Sequence, residues 1–339
     1  MTTTHTQPTL DFVTLDVFTT SRFTGNPLAV IFIPSTLTSS ISQETKQLIA
    51  REFNLSETVF LHTLPDEPNL SSSFRRAEIF TIEEELPFAG HPTIGTAFLV
   101  LEHLGWKHVT ALQTKAGPIG IERVGERDVK AAIPHAVHIH SQTLSSLLYG
   151  TETEALSKTA IEDGLSPHAE IRERELQAKA VSIVRGMTFL LVELPSLDLL
   201  GKVKDGRPMD FGKIKGLIDE GEWGKSFVAR YYYVPTAEPS VGSGGTRTWK
   251  FQTRMVELGF EDPATGSAAC TLASYLTLAA EGEGVTKEHF EIVQGVEMGR
   301  RSEITVDAVA EVGGDGQKRV KELFLGGSAE VVMRGSISV

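Results

Sequence analysis

Short runs that alternate apolar and polar residues, or that are wholly apolar, recur along the chain and predict strands. Phe12–Phe18 alternates like a half-buried strand, and Leu28–Ile33 is continuously apolar, as is typical of a fully buried one. Further runs of these kinds lie at 57–61, 74–80, 112–114, 119–121, 180–184, 188–193, 229–234, 248–254, 290–294, 303–309 and 329–337. The chain is therefore predicted to be rich in strands.

Helical periodicity appears in fewer places. An amphipathic helix is predicted from Ser42 to Phe53, with Asn54 as its left-handed end, and another over Phe211–Asp219. Two more, over Thr93–His103 and up to Ala280, are apolar on several faces and are expected to be surrounded by sheet. Because strands outnumber helices and do not alternate strictly with them, the pattern favours two α+β units, each a curled sheet around one buried helix.

Two similar turns lie far apart in the chain, at Glu85–Gly95 and Glu261–Cys270. Each has an acidic approach, a turn of Gly, Pro and Thr, and then an alanine-rich helix. The first turn of a helix presents backbone N–H groups and the positive end of the helix dipole, which together bind a carboxylate or similar anion. Two such turns favour a duplicated fold that holds a small acidic substrate between its halves.

Composition narrows the class of protein. A length of 339 residues fits two domains, and the net charge of −12 without a basic stripe disfavours nucleic acid or an anionic membrane as a partner. The single cysteine, Cys270, indicates a reducing, cytoplasmic location. Residues 1–10 are expected to form a flexible tail, and the polar segment 141–175 an insertion or connector with some helix.

Three residues are candidates for chemistry. Glu57 precedes an apolar strand, and an apolar setting raises a carboxyl pKa toward values useful for proton transfer. The local sequence alone, however, favours an exposed glutamate at the end of the strand or a partner for Ser56. His91, in the first turn, fits a substrate donor or proton shuttle as well as a helix cap. Asp262, in the second turn, fits substrate contact or the capping of backbone N–H groups.

The other candidate residues give weaker evidence of a functional role. Thr265, Gly266 and Ser267 fit an anion cradle or an ordinary helix cap, and Cys270 is expected to be a buried thiol. The closely spaced histidines 135, 138 and 140 have no acidic or cysteine partner nearby in sequence, so they are expected to be surface or insertion residues rather than metal ligands. No P-loop, dinucleotide fingerprint or Gly-x-Ser-x-Gly elbow occurs in the sequence, which disfavours an oxidoreductase. The protein is therefore expected to work without a cofactor or metal.

A set of motifs in fixed order identifies a family resemblance. The motifs are Asp16–Phe18, Gly25–Val30, Asn54–Phe60, Leu86–Thr93, Glu261–Ala268, Gln294–Gly295 and Met298–Arg300. In this order they resemble the PhzF family of phenazine-biosynthesis isomerase-like proteins. The resemblance covers nearly all of the chain outside 141–175.

The resemblance implies a diaminopimelate-epimerase-like fold: two pseudo-symmetric domains, each a curled, mostly antiparallel sheet or barrel around a central helix, with the site between them. It implies a domain at 11–128, completed by 329–339, and a second at 129–328. Epimerases of that fold carry a cysteine in each turn, where this chain has Ala89 and Pro263. Two-thiol epimerisation is therefore not expected here.

The resemblance also implies roles for particular residues. Glu57 corresponds to the family's proton shuttle, His91 and Asp262 to further catalytic groups, and Gly90 and Ser267 to substrate-contacting positions. Family members often carry histidine and proline where this chain has Ala269 and Arg301, respectively. These two departures bear on the pocket and its surroundings more than on the chemistry.

The sequence thus predicts a cofactor-independent isomerase that moves a proton between carbons of a small carboxylated metabolite, with Glu57 as the shuttle. One alternative is a racemase or epimerase with His91 or Asp262 acting on the opposite face. Another is a metabolite-binding protein without turnover. The resemblance further implies a homodimer.

Overall fold

The computed structural model describes residues 8–65, 72–149, 155–204, 207–242, 244–257, 259–280 and 286–339. The chain divides into two compact units. The first comprises Met1–Ala132, of which residues 1–7 and 66–71 lie outside the described part, together with Leu325–Val339; the second is Ile133–Phe324.

Strands and helices alternate irregularly along both units. The strands are β1 (Thr9–Val17), β2 (Asn26–Pro34), β3 (Thr58–Thr63), β4 (Phe74–Phe80), β5 (Glu85–Leu86), β6 (Ala111–Thr114), β7 (Gly117–Val124), β8 (Asp128–Ala132), β9 (His138–Ile139), β10 (Lys179–Val184), β11 (Met187–Glu193), β12 (Phe227–Val241), β13 (Arg247–Glu257), β14 (Phe260–Asp262), β15 (Thr286–Gln294), β16 (Ser302–Val312), β17 (Lys318–Gly327) and β18 (Ala329–Ser338). The α-helices are α1 (Gln43–Phe53), α2 (Gly90–Phe98), α3 (Leu144–Tyr149), α4 (Ala155–Gly164), α5 (Ala169–Gln177), α6 (Leu197–Gly201) and α7 (Gly266–Ala279).

The same order of strand pairings occurs in both units. In the first, β1 is antiparallel to β2, β2 parallel to β3, β3 antiparallel to β4, β4 parallel to β6 and β6 antiparallel to β7. In the second, β10, β11, β12, β13, β15 and β16 repeat this sequence of antiparallel and parallel pairs. In each unit the last parallel crossover contains the buried helix, α2 or α7, preceded by a short strand, β5 or β14. The expected duplication of an α+β unit is confirmed.

Helix α2 lies inside the curled sheet of the first unit. All nine of its residues are buried, and it packs against β1, β2, β3 and β8. The helix approaches the sheet so closely that a Cβ on Gly95 would lie 2.6 Å from a methyl carbon of Leu28 and 2.7 Å from one of Val17. The chain continues from α2 into a π-helical turn, Leu99–His103, so the helix predicted over 93–103 ends where expected.

Helix α7 holds the same position in the second unit. It packs against β10, β11, β15 and β16, and its small residues, including Ala268, Ala269 and Cys270, are fully buried. Small side chains let the sheet curl tightly around the helix, because they keep the distance between helix and strands short. Because strands surround both helices, neither α2 nor α7 contains an Asp, Glu, Lys or Arg.

One predicted helix is wrong. Over Phe211–Asp219 the chain makes only a 3₁₀ turn, Phe211–Lys213. Gly216 has φ +84°, a left-handed conformation that interrupts any helix at this point. Leu217 and Ile218 are instead buried in an irregular segment of the apolar core.

The segment 141–175, expected to be an insertion or connector, carries α3, α4 and most of α5. Its apolar residues join the core of the second unit, since Leu144, Leu148 and Ile171 belong to the cluster that contains Tyr232. At the other end of the chain, β1 begins at Thr9, inside the stretch 1–10 that was expected to be a tail.

A buried ion cluster ties α1 to the sheet of the first unit. The Glu78 carboxylate, on β4, accepts hydrogen bonds from Lys46 Nζ at 2.6 Å and His62 Nε2 at 2.5 Å. Burial alone favours the neutral acid, but these two hydrogen bonds and the Lys46 charge lower the pKa of Glu78 from 4.5 to about 2. The carboxylate is therefore ionised, and stabilising, at neutral pH.

The effect of Glu78 on stability follows from this shift. Because its folded pKa is depressed, its contribution is present above pH 4.5 and is lost as pH falls from 4.5 toward 2. Glu78→Gln is expected to lower the free energy of unfolding at pH 7 by about 3 kcal/mol and to approach wild type near pH 2. Urea unfolding across this pH range tests it, with the exposed Glu83→Gln as control. Equal stabilities of Glu78→Gln and wild type at pH 7 would contradict it.

Within the described ranges, no helix combines the length and apolarity needed to cross a membrane.

Candidate active site

Glu57 lies between the end of α1 and the start of β3. Asn54 ends α1 with φ +51° and donates its N–H to the Ala50 carbonyl, as predicted for a left-handed C-cap. Three residues later the Glu57 side chain is 17% exposed. Burial raises its pKa above 4.5, partly offset by a hydrogen bond with Ser56. The direction of this shift is the one that the apolar strand after Glu57 predicted.

His91 follows the first residue of α2, and its side chain is 6% exposed. Its Nδ1 lies 3.6 Å from Glu57 Oε2 and 3.4 Å from the Asn26 side-chain nitrogen. The Asn26 amide and the Glu57 carboxyl group therefore both face the same ring nitrogen, Nδ1. Asn26 thus orients the ring beside the carboxyl group.

Asn26 was missed as a site residue by sequence reasoning. It is the first residue of β2 and is 1% exposed. It follows Gly25, which has φ +67° and packs against the Val17 carbonyl. A Cβ at this position would lie 2.3 Å from that carbonyl oxygen, so any other residue would be strained here. The Gly25–Asn26–Pro27 motif could have indicated Asn26. A polar residue between Gly and Pro, however, is typical of a turn, so the local pattern gives no reason to place it in a site.

The beginning of α2 presents backbone donors. Ala89 precedes the helix and offers no side-chain cap, while the hydroxyl and the N–H of Thr93 both donate to the Ala89 carbonyl. Pro92 has no N–H, so the first-turn donors are those of Gly90 and His91. The predicted substrate-contacting Gly90 therefore lies at the positive end of a buried helix.

Asp262 is the last residue of β14, directly before the second turn. Its Oδ2 accepts a hydrogen bond from the Thr265 hydroxyl at 2.6 Å, and its Oδ1 is 3.5 Å from the Ala264 nitrogen. The carboxylate therefore holds the turn together, which agrees with the capping role that the local sequence indicated. It remains partly exposed, so contact with a substrate is compatible with these bonds.

Gln294, at the end of β15, fixes the same turn and was not singled out as a site residue. Its side-chain nitrogen donates to the Asp262 carbonyl at 2.8 Å and to the Thr265 hydroxyl at 3.0 Å. Its side-chain oxygen accepts from the Thr265 N–H at 3.2 Å and from the buried Tyr231 hydroxyl at 3.2 Å. A fully bonded, buried amide of this kind holds Asp262 and Thr265 in one geometry.

Helix α7 begins at Gly266, and its preceding residue, Thr265, makes no side-chain cap to the helix. The N–H groups of Gly266 and Ser267 belong to the first turn, which has no intrahelical acceptors. Cys270 lies one turn further on, fully buried, and burial raises its thiol pKa. It is therefore a packing residue with little thiolate, as expected.

The structure brings the predicted residues together in two groups. In the first unit, Glu57 and His91 meet beside the α2 N-terminus. In the second, Asp262 and Thr265 meet at the α7 N-terminus, next to Gly266 and Ser267. Neither turn carries a cysteine, since Ala89 and Pro263 stand there.

The expectation that the histidine-rich segment has no acidic partner is wrong. His138 and His140 both face Asp219, with His138 Nε2 at 2.8 Å from its carboxylate, and His140 is 1% exposed rather than on the surface. His135 is not part of this group; its two ring nitrogens lie near the carbonyls of Ile133 and Val320.

Comparison with known proteins places the chain in a family. The sequence model of the phenazine biosynthesis-like proteins matches residues 15–335, and the chain belongs to that family. A Mesorhizobium japonicum protein named as an uncharacterized isomerase is 31% identical over 338 residues, covering 98% of this chain and 99% of its own. A trans-2,3-dihydro-3-hydroxyanthranilate isomerase from Pseudomonas fluorescens is 31% identical, covering 86% of this chain and 88% of its own.

Solved structures confirm the fold. A PhzF-family protein from Bacillus anthracis superposes with a TM-score of 0.63 at 19% identity, covering 98% of this chain and all of its own. A hydroxyproline epimerase from Agrobacterium vitis, solved with bound trans-4-hydroxy-L-proline, gives 0.51 at 12% identity, covering 98% and 93%. The expected diaminopimelate-epimerase-like fold is therefore confirmed.

Proposed function

We propose that this protein is a cofactor-independent isomerase that moves a proton between two carbons of a small carboxylated metabolite. The observation that carries the proposal is the Glu57 carboxyl group, largely buried, with a raised pKa, 3.6 Å from His91 at the start of α2. Relatives at 31% identity over most of the chain that bear the name isomerase support the reaction class.

Glu57 acts as base and then as acid in this proposal. Its carboxylate takes a proton from an activated carbon, the electron pair shifts along the conjugated substrate, and the carboxyl returns the proton at a second carbon. A carboxyl group whose pKa is raised binds the proton more tightly between the two steps than an exposed glutamate does. The net reaction needs no oxidant, reductant or added water.

His91 and the α2 N-terminus stabilise negative charge that develops on the substrate. The N–H groups of Gly90 and His91 bind an oxyanion, and the imidazole, oriented by the Asn26 amide, lies beside the Glu57 carboxyl group. Because these donors are fixed before substrate arrives, little reorganisation is needed during proton transfer.

Asp262 and the α7 N-terminus are assigned to substrate orientation. The N–H groups of Gly266 and Ser267 suit a carboxylate, while Asp262 suits a donor group such as an amine or hydroxyl. Gln294 and Thr265 keep Asp262 in place through the bonds described above. A substrate with a carboxylate and a neighbouring amino or hydroxyl group matches both features.

Proton exchange in heavy water tests the proposal. The purified protein is incubated with a panel of cyclic and amino carboxylic acids, including trans-2,3-dihydro-3-hydroxyanthranilate, and deuterium is located by NMR. We expect hydrogen to be lost from one carbon and gained at a different one, with deuterium entering there in those turnovers in which the Glu57 carboxyl exchanges with solvent before it delivers the proton. Deuterium at the same carbon with inverted configuration would indicate an epimerase instead. Thermal stabilisation by a ligand without exchange or turnover would indicate a binding protein.

A further inference from the structure

A second group of chemically competent side chains lies in the second unit, apart from the residues of the proposed reaction. His138 on β9, His140 just after it, and Asp219 place their ligand atoms within 4.8 Å of one another. His138 Nε2 is 2.8 Å and His140 Nδ1 is 3.7 Å from the same oxygen, Asp219 Oδ2. Three potential ligand atoms therefore converge from two segments 79 residues apart.

We propose that His138, His140 and Asp219 form a binding site for a divalent transition metal of the zinc class. Bonds of about 2.0–2.1 Å in tetrahedral geometry place neighbouring ligand atoms about 3.4 Å apart. The two measured separations from Asp219 Oδ2 lie on either side of that value, and all three ligand atoms lie within 4.8 Å of one another, so the side chains must draw together around the ion. Two imidazoles and one carboxylate favour zinc, nickel or copper over magnesium and calcium.

The outer partners of the imidazoles suit metal binding. His140 Nε2 lies 2.8 Å from the hydroxyl of the buried Ser182, while its Nδ1 accepts the Asp219 backbone N–H at 3.0 Å. The hydrogen is thus on Nε2, and the Nδ1 lone pair faces the Asp219 backbone N–H, which the ion must displace. Metal-bound histidines characteristically donate their second nitrogen in this way.

The carboxylate and the second imidazole are oriented by other neighbours. Asp219 Oδ1 accepts the Ser141 hydroxyl at 2.8 Å and the Ser141 N–H at 3.3 Å, which leaves Oδ2 facing the histidines. The His138 ring stacks on Trp223, with ring centroids 4.7 Å apart and planes 9° from parallel. All three ligand side chains are therefore held before any ion binds.

Metal binding would replace two hydrogen bonds. The ion takes the place of the hydrogen between His138 Nε2 and Asp219 Oδ2, and that hydrogen leaves or moves to His138 Nδ1. It also replaces the hydrogen bond from the Asp219 N–H to His140 Nδ1, because the one lone pair of Nδ1 cannot hold both that hydrogen and the ion. The side chains of His138 and Asp219 are 32% and 31% exposed, so a water molecule can occupy the fourth position.

Zinc titration tests the site directly. Isothermal titration of the full chain with ZnCl₂ is expected to give one ion per chain, accompanied by a rise in Tm because only the folded state presents the three ligands. Nickel is expected to quench the fluorescence of Trp223, one of three tryptophans. Trp223→Phe should keep zinc binding but lose that quenching.

Variants assign the ligands. His138→Ala and Asp219→Asn are expected to abolish one-to-one binding, and Ser182→Ala to weaken it about 10- to 100-fold. His289→Ala is the matched control, because His289 also pairs with an aspartate, Asp307, at 2.6 Å but, among the residues that the structure describes, belongs to no group of three potential ligands. This control is expected to bind zinc like wild type.

Two results would overturn the proposal. One is the lack of saturable zinc binding by the wild-type protein, and the other is equal zinc affinity in wild type, His138→Ala and Asp219→Asn. Circular dichroism shows whether each variant is folded. If either His138→Ala or Asp219→Asn misfolds, the zinc affinity of the other variant still tests the proposal. Retained proton-exchange activity in His138→Ala would separate this site from the proposed reaction.

Discussion

Replacing Glu57 by glutamine is expected to abolish deuterium exchange into the substrate. The amide keeps the size of the side chain and its ability to bond Ser56, but it cannot accept and return a proton. General acid–base groups contribute about 10²- to 10⁴-fold, so kcat should fall by at least that factor, while KM changes little. Single-turnover exchange followed by NMR measures the effect.

Two control variants make this result specific. Glu57→Asp keeps a carboxyl group but withdraws it from its position, so partial activity is expected. Glu52→Gln removes an exposed glutamate five residues earlier, at the end of α1, and should leave the rate unchanged. Exchange that persists undiminished in Glu57→Gln would exclude the proposed role of this residue.

The same substitution is expected to stabilise the protein at neutral pH. The folded pKa of Glu57 is raised above 4.5, so its favourable contribution to stability is present below pH 4.5 and is lost as pH rises through the folded pKa. Glutamine never ionises. Glu57→Gln should therefore have a higher free energy of unfolding than wild type at pH 7 and the same value below pH 4.5. A gain in stability with a loss of activity is typical of a functional group held in an unfavourable setting.

Local patterns predicted most of the fold because the elements are defined by neighbouring residues. The alternating run at 12–18, the Asn54 helix end and the two small-residue turns each depend on contacts within a few positions. The failed helix at 211–219 shows the limit. Its apolar spacing is helical, but Gly216 adopts φ +84° and burial in the core determines the conformation of Leu217 and Ile218.

Site geometry was predictable only where the motif itself brings residues together. Asp262 and Thr265 are three positions apart and are joined by a hydrogen bond, so the sequence of their turn was enough to predict that they lie together. Asn26 reaches His91 across 65 positions, and His138 reaches Asp219 across 81. Such pairs depend on strand order and register, which no local pattern encodes. The family resemblance supplied Glu57, whereas its local sequence favoured an exposed side chain.

Gly295→Ala is expected to damage both stability and activity. Gly295 has φ +74°, and a Cβ there would lie 2.6 Å from the Arg300 carbonyl oxygen and 2.7 Å from that of Pro263. Both neighbours are backbone atoms, so the second turn, which contains Pro263 directly after Asp262, must shift. Left-handed strain costs about 1–2 kcal/mol and overpacking about 1–3 kcal/mol more.

Gly299→Ala separates the two contributions to that loss. Gly299 has nearly the same φ, +71°, but a Cβ there meets nothing within 4 Å. It should therefore carry only the cost of left-handed strain, measured as a modest fall in the urea midpoint, and keep full exchange activity. In Gly295→Ala the displaced turn also moves Asp262, and misplacement by about 1 Å can cost 10²-fold in rate. If the two variants lose equal stability and equal activity, the close approach at Gly295 does not position Asp262.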